Sequence, residues 1–391
     1  MLRSLRLLRT EAIITMMIIE APVMNPFLQS IGLSQGQIGL SQALYAAVVL
    51  CCNIPAGWLA DSYSPKMCSI VGDFTVAIGF LLYAFADTFI QVLSIEMIIG
   101  LGMAFTTGAD TALIRQYCRS LNRSYGLEMS LIATWRPVAR IAGVALGGAV
   151  GATDLRLAVV LTAVPFAIGG LLSLCIEEAS GRRSAGKQKV SLTKATRAAF
   201  VDMLRIIVYA LHHNKRLAWA IIAGATGSEL SHALMLLLTP LLLKAGVPMP
   251  VIGVAWALYL IAVSVGAWCS RYVMAHWSAR KLFLVPAFIS LGVMVVLSLH
   301  LSIWTVWTFG ILGFVAGWYS TVMPPIVQGY TPEDMQVMVM SLSDCLVRIM
   351  YMLTVVVVGA IASNSQQWAV AANALLFAPL VLLVGMKLRR S

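Results

Sequence analysis

Runs of about 20 apolar residues, separated by short polar turns, follow one another along almost the whole chain. Lipid offers no partners to backbone N–H and C=O groups, so a spanning segment must be a helix or a strand of a closed barrel. These runs do not alternate between apolar and polar residues, which selects helices. Apolar residues make up 60% of the sequence and charged residues 11%, against about a quarter charged in soluble proteins. The chain therefore reads as an integral membrane protein. Twelve spans are predicted, at 11–31, 36–57, 66–86, 89–117, 125–150, 155–176, 215–243, 249–274, 281–300, 303–328, 336–361 and 366–387. The first follows Arg3, Arg6 and Arg9 as a secretion signal would. Glu20, Pro22, Asn25 and Pro26 interrupt it and no small-residue cleavage site follows, so it is read as helix 1.

The spans fall into two related sets of six. Pro26, Leu28, Gly32, Ile38, Gly39, Ala43, Leu44 and Tyr45 recur 214 residues later as Pro240, Leu242, Gly246, Ile252, Gly253, Ala257, Leu258 and Tyr259. Arg140-Ile141 followed by Val150-Gly151-Ala152 recurs as Arg348-Ile349 followed by Val358-Gly359-Ala360, at an offset of 208. Two copies of a lipid-soluble module predict a transporter with its site where the halves meet. The expected organisation is an N-terminal six-helix bundle over 1–176, a cytoplasmic linker over 177–214 and a C-terminal six-helix bundle over 215–391. In the linker Phe200, Met203, Leu204, Ile207 and Leu211 share one helical face, with Lys194, Arg197 and Arg205 elsewhere. That predicts an amphipathic helix on the inner membrane surface, and a plain tether explains it as well as a regulatory element does.

The net charge of +11 is a matter of topology. With the N-terminus inside, 22 of the 27 basic residues lie in cytoplasmic segments and only Arg156 and Lys244 lie outside. This bias puts both termini in the cytoplasm of a cell inner or plasma membrane and argues against nucleic-acid binding. The seven cysteines have no metal-ligand spacing, and neither a metal nor a cofactor is expected. External loops are short, no H-E-x-x-H, G-x-S-x-G or P-loop pattern occurs, and no nucleotide domain is present. An enzyme is therefore not expected.

The turn between helices 2 and 3 reads Gly57-Trp58-Leu59-Ala60-Asp61-Ser62-Tyr63-Ser64-Pro65-Lys66. It resembles the G-x-L-x-D-x-x-G-R-K signature of the major facilitator superfamily, keeping Gly57, Leu59, Asp61 and Lys66, with Ser64 and Pro65 in place of the second glycine and the arginine. The equivalent turn of the second half, Ser278-Ala279-Arg280-Lys281, is basic as in the family. Gly32-Leu33-Ser34 through Gln37-Ile38-Gly39 looks like the first external turn, and Gly108-Ala109-Asp110-Thr111-Ala112-Leu113 looks like the end of helix 4 in a subset that includes exporters. The resemblance covers essentially the whole chain and implies twelve helices in two pseudo-symmetric bundles. Two departures leave proton antiport open. Glu96 stands where some members carry a helix 4 arginine, and Gly143, Gly147, Gly148 and Gly151 lack the proline of the antiporter pattern.

Charges within spans are costly and mark functional candidates. Glu20, Arg136 and Arg140 fall near mid-depth, and helix 11 answers with Asp344 and Arg348. Arg136 and Arg140 cannot neutralise each other, so they need an acid from another helix or an anionic substrate. Glu20 is a candidate proton site, or else a salt-bridge partner of Arg136. Asp344 and Arg348 are spaced to pair with each other, and Glu229 with His232 on helix 7 is a possible proton relay or a packing pair. Asp73, Glu96 and Asp110 rank behind these. Asp61, with Gly57, Lys66, Arg280 and Lys281, is expected to form a cytoplasmic gate. The combined expectation is a monomeric, secondary-active transporter of a small organic molecule in the bilayer, with protons as candidate coupling ions. Efflux of a drug or a metabolite such as a siderophore is favoured, with import of a nutrient or siderophore, or a non-transporting sensor, as alternatives.

Overall fold

The computed structural model describes residues 1–177, 201, 203–232, 234–302 and 305–388, leaving aside the side chains of residues 61, 305, 306, 334 and 337. Among the described residues the chain is all helical. Its first half holds α1 (Leu2–Ile14), α2 (Met24–Ser30), α3 (Gln35–Ser62), α4 (Pro65–Leu82), α5 (Phe89–Ser120), α6 (Tyr125–Gly151), α7 (Leu155–Leu161) and α8 (Ala163–Leu174). The second half holds α9 (Lys215–His232), α10 (Met235–Lys244), α11 (Met249–Met274), α12 (Ala279–Leu299), α13 (Phe309–Gly329), α14 (Gln336–Ala362) and α15 (Gln366–Lys387). Among the described residues ten helical stretches are long and apolar enough to cross a membrane. The other two expected spans are helical as well: α6 carries Arg136 and Arg140 in its interior, and helix 1 is split into α1 and α2.

Polar residues at the turns start the helices. Ser64 accepts from the Met67 N–H at 3.4 Å and Pro65 occupies the first helical position. A serine cap followed by proline is a good helix start, which gives a local reason for both departures from the signature. Thr88 and Gln91 form a reciprocal capping box on α5, and Ser124, Asp154 and Ser365 cap α6, α7 and α15. The glycines of the repeat turn the chain in the same way twice, since Gly32 has φ 87° and Gly246 φ 84°. Only glycine takes that conformation without strain.

Spatial contacts group the chain into two compact units, Met1–Phe27 with Leu44–Ala199, and Leu28–Ala43 with Phe200–Ser391. In the second unit, Ile206 and Ala210 are buried with Leu217, Ala220, Ile221, Val327 and Val339. Of the expected apolar stripe, Leu204 and Leu211 are exposed and Met203 and Ile207 half-buried. Phe200, Lys194 and Arg197 lie outside the described residues.

The break in helix 1 is the main irregularity of the first unit. From Thr15 to Val23 the backbone runs through turns closed by i to i+3 bonds, such as Met17 N–H to Ile14 O at 3.0 Å and Val23 N–H to Glu20 O at 2.9 Å. This stretch lies directly on α6. A Cβ added to Gly143 would sit 2.8 Å from the Ile18 nitrogen, and one added to Gly147 would sit 1.9 Å from the Ile19 oxygen. Neither neighbour is a flexible side-chain end, so a methyl group there forces backbone apart. Gly147→Ala is expected to destabilise the protein by ~1–3 kcal/mol. Gly126→Ala, with nothing nearer than 3.7 Å, serves as the neutral control. Thermal unfolding in detergent reads the difference, and equal melting points for the two variants would contradict the close seat.

Candidate functional site

Arg136, Arg140, Gly143 and Gly147 fall at i, i+4, i+7 and i+11 of α6 and so share one face. The glycines seat the helix 1 break and the arginines continue the same stripe. The Arg136 Nε–H donates to the Ala12 carbonyl at 3.1 Å. Ala12 belongs to the last turn of α1, whose carbonyls lack helical partners and form the negative end of the helix dipole. Arg136 is thus held by backbone, and it forms no bridge to Glu20. Glu20 sits inside the break, where its Oε2 accepts from the fully buried Thr162 hydroxyl at 3.0 Å. The arginine within electrostatic range of Glu20 is Arg140.

Ordinary structural contacts bracket this stripe. At the C-terminal end of α6 and beyond it, Arg156 donates to the Ala84 and Ala86 carbonyls and to Asp87 Oδ1 at 2.8, 3.2 and 2.6 Å. Glu96 is buried and accepts from the Tyr83 hydroxyl at 2.8 Å, which accounts for an acid at that position. In the first turn of α6, Glu128 is clamped by Arg9 at 2.7 Å and Arg123 at 3.2 Å.

The expected gate residues are spread over both units. Gly57 has nothing within 4 Å of a hypothetical Cβ, and Asp61 lies in the last turn of α3 with its side chain outside the described set. Lys66 Nζ donates to the carbonyls of Leu174 and Ile176 at 3.3 and 2.5 Å, closing the C-terminal end of α8. Arg280 is half-buried with an unpartnered Nε, and Lys281 is exposed.

In the second unit Glu229 is buried and its Oε2 has no partner, while His232 is exposed with Nδ1 3.1 Å from the Ser228 carbonyl. Asp344 is exposed and Arg348 half-buried; they are within electrostatic range but form no ion pair within 4.0 Å among the described residues. Trp318 and Tyr319 are buried and donate to the Leu282 and Phe283 carbonyls at 3.1 and 2.6 Å, so they brace α12. Among the described residues no three His, Cys, Asp or Glu side chains form a group able to hold a metal ion.

Glu11 is the buried acid that the sequence conceals. It lies next to Arg3, Arg6 and Arg9 at the edge of the predicted span and reads there as part of a polar flank. The start of α1 at Leu2 puts Glu11 well inside a helix rather than at its edge.

A family model described as Major Facilitator Superfamily matches residues 12–353. Over 87 residues the chain is 31% identical to an uncharacterised MFS-type transporter of Methanocaldococcus jannaschii, a match that spans 22% of this chain and 22% of that relative. Among solved structures, a point mutant of the nucleoside transporter NupG is similar with a TM-score of 0.80 at 12% identity, covering 99% of each chain. A bacterial homologue of the human lysosomal transporter Spinster, inward-facing and occupied, has a TM-score of 0.70 at 14% identity, covering 99% of this chain and 96% of that one. A POT family transporter in complex with 5-aminolevulinic acid has a TM-score of 0.70 at 11% identity, covering 98% of this chain and 96% of that one.

The Thr162 hydroxyl offers a direct check on how Glu20 is held. Thr162→Val removes the donor and is expected to cost ~1.5–3 kcal/mol if the carboxylate is charged, whereas Thr162→Ser keeps the contact. Thermal unfolding of both variants beside Glu20→Met, which has no oxygen to accept the bond, tests this. Thr162→Val should lose little further stability in the Glu20→Met background, and a fully additive loss would show that the two side chains do not interact.

Proposed function

The chain belongs to the major facilitator superfamily, and from that premise we propose that this multi-pass membrane transporter exports a small organic solute by alternating access. The solute is a drug-like compound or a metabolite such as a siderophore, amphiphilic or partly anionic, and the transporter works as a monomer in the cell inner membrane with both termini cytoplasmic. The observation that carries this reading is the pair of arginines on the α6 stripe. Arg136 is half-buried, Arg140 is exposed, and neither can neutralise the other. A protein keeps two like charges in a membrane helix when acids and an anionic ligand group compensate them. Asp344 and Arg348 on α14 offer a charge of each sign in the second unit and are proposed as solute contacts there.

The solved relatives include a nucleoside transporter and a protein bound to 5-aminolevulinic acid. Both names are compatible with a small polar organic solute for this chain, and they leave its identity to experiment. The gate is assigned to the turn after α3, where Asp61 ends one helix and Lys66 holds the end of α8. A carboxylate at such a turn meets a helix N-terminus or a basic side chain in one state and releases it in the other.

Inside-out vesicles containing the protein, offered a panel of labelled siderophores, drugs and metabolites, test the proposal. Export predicts accumulation in these vesicles, and accumulation in intact cells instead would reverse the direction. Arg136→Ala and Asp61→Ala are each expected to reduce uptake at least about tenfold, a change of about 1.4 kcal/mol, with membrane levels of protein unchanged. Wild-type rates in either variant would sink that residue's assignment.

A further inference from the structure

Under the expected topology the first unit holds a second set of charges nearer the cytoplasmic side than Glu20, with Glu11 and Asp73 buried and Asp110 half-buried. Glu11 on α1 is fully buried and neither carboxylate oxygen has a hydrogen-bond partner. Asp73 on α4 is 1% exposed and both its oxygens are equally without partners. Asp110 on α5 accepts from the Ser69 hydroxyl at 3.0 Å, and Ser69 lies 3.4 Å from the Ser173 hydroxyl of α8. Glu11 is within electrostatic range of Asp110 and Asp73, and Asp73 of Asp110.

Packing explains how residues so far apart in sequence meet. α1 lies against α5, α6 and α8, and α4 lies against α5 and α8. Gly169 leaves room between them, since a Cβ there would stand 2.7 Å from Thr15 Cγ2 and 3.0 Å from Asp73 Oδ2. Under the expected topology all three acids lie at one depth, about 12–15 Å from the cytoplasmic ends of their helices at about 1.5 Å per residue.

The charges around the cluster do not balance. On α6, Arg136 is within range of Glu11 and Asp110, but its Nε–H is given to the Ala12 carbonyl and no carboxylate lies within 4.0 Å of it. The other nearby charges have partners of their own: Arg9 on α1 and Arg123 hold Glu128, Arg115 on α5 lies over the Tyr125 ring at 5.1 Å, and Lys66 on α4 binds carbonyls. α8 contributes no charged side chain. Three carboxylates against one guanidinium would leave net negative charge in a water-poor interior, with four carboxylate oxygens lacking any donor. Protonating carboxyls in this set would remove the excess charge and place a hydrogen where no protein donor reaches.

We propose that Glu11, Asp73 and Asp110 form a proton-holding site, loaded from the cytoplasmic end through Ser173 and Ser69, and that it couples transport to protons. Loading forms an O–H bond on a carboxylate with a proton taken from water; unloading breaks that bond and returns the proton to water. The coupling clause rests on the transporter reading above, while the proton site itself does not.

Infrared difference spectra of the purified protein in lipid nanodiscs, taken between acidic and alkaline buffer in H2O and in D2O, test the site without any solute. The wild type should show a protonated-carboxyl C=O band that titrates and shifts in D2O. Glu11→Gln, Asp73→Asn and Asp110→Asn should each remove part of it. Ser69→Ala keeps all three acids, and should move the Asp110 component even if an acid variant fails to fold. An unchanged band in the folded variants and in Ser69→Ala overturns the proposal. So does a band that neither titrates nor exchanges, which marks permanently protonated structural acids, or one displaced by sodium at constant pH, which marks a cation site. Failure of every solute in the vesicle screen would count against the transporter reading and leave this spectrum standing.

Discussion

Backbone resting on backbone, where Met17–Ile19 of the broken first helix meet Gly143 and Gly147 of α6, is the contact on which the rest of the first unit depends. A helix broken within a membrane exposes N–H and C=O groups that lipid cannot satisfy, so the break must be covered by protein. Two glycines one turn apart let the covering helix come close enough. The i to i+3 turns of the break and the Arg136 bond to Ala12 O then satisfy much of what the missing helical bonds leave open. Pro22 and Pro26 make the break local and permanent, because neither has an N–H to give to a continuous helix.

The charged groups follow from that seat. The α6 arginines lie on the same stripe as the glycines, so whatever holds helix 1 against α6 also brings them to it. Arg136 meets the last turn of α1 on the Glu11 side, and Arg140 lies within range of Glu20 on the other. One acid is supplied with a hydroxyl donor, Thr162, and the other with none. That difference separates Glu11 and Asp73, whose carboxylate oxygens have no donor, from Glu20, and Asp110 joins them through its place beside Ser69 and Asp73.

The helices are legible in the sequence because apolar length and turn residues are local properties. The glycines of α6 are visible too, but their use is not, since a close approach belongs to two segments at once. Glu11, Asp73 and Asp110 come from three helices, and no spacing along one chain reveals such a meeting. Glu96 and Ser64-Pro65, departures when set against a family pattern, have simple local partners in the Tyr83 hydroxyl and the start of α4. Trp318 and Tyr319 brace α12 through backbone carbonyls, a use that aromatic residues in a span do not announce.

An electron cryomicroscopy map of the protein in lipid nanodiscs, clear enough to trace residues 12–24, tests the central contact most directly. Helical density should stop near Thr15 and resume near Met24, with the backbone between them touching α6 at Gly143 and Gly147 and the Arg136 side chain reaching the Ala12 carbonyl. A continuous helix through this stretch, standing off α6 by the width of a side chain, would contradict it.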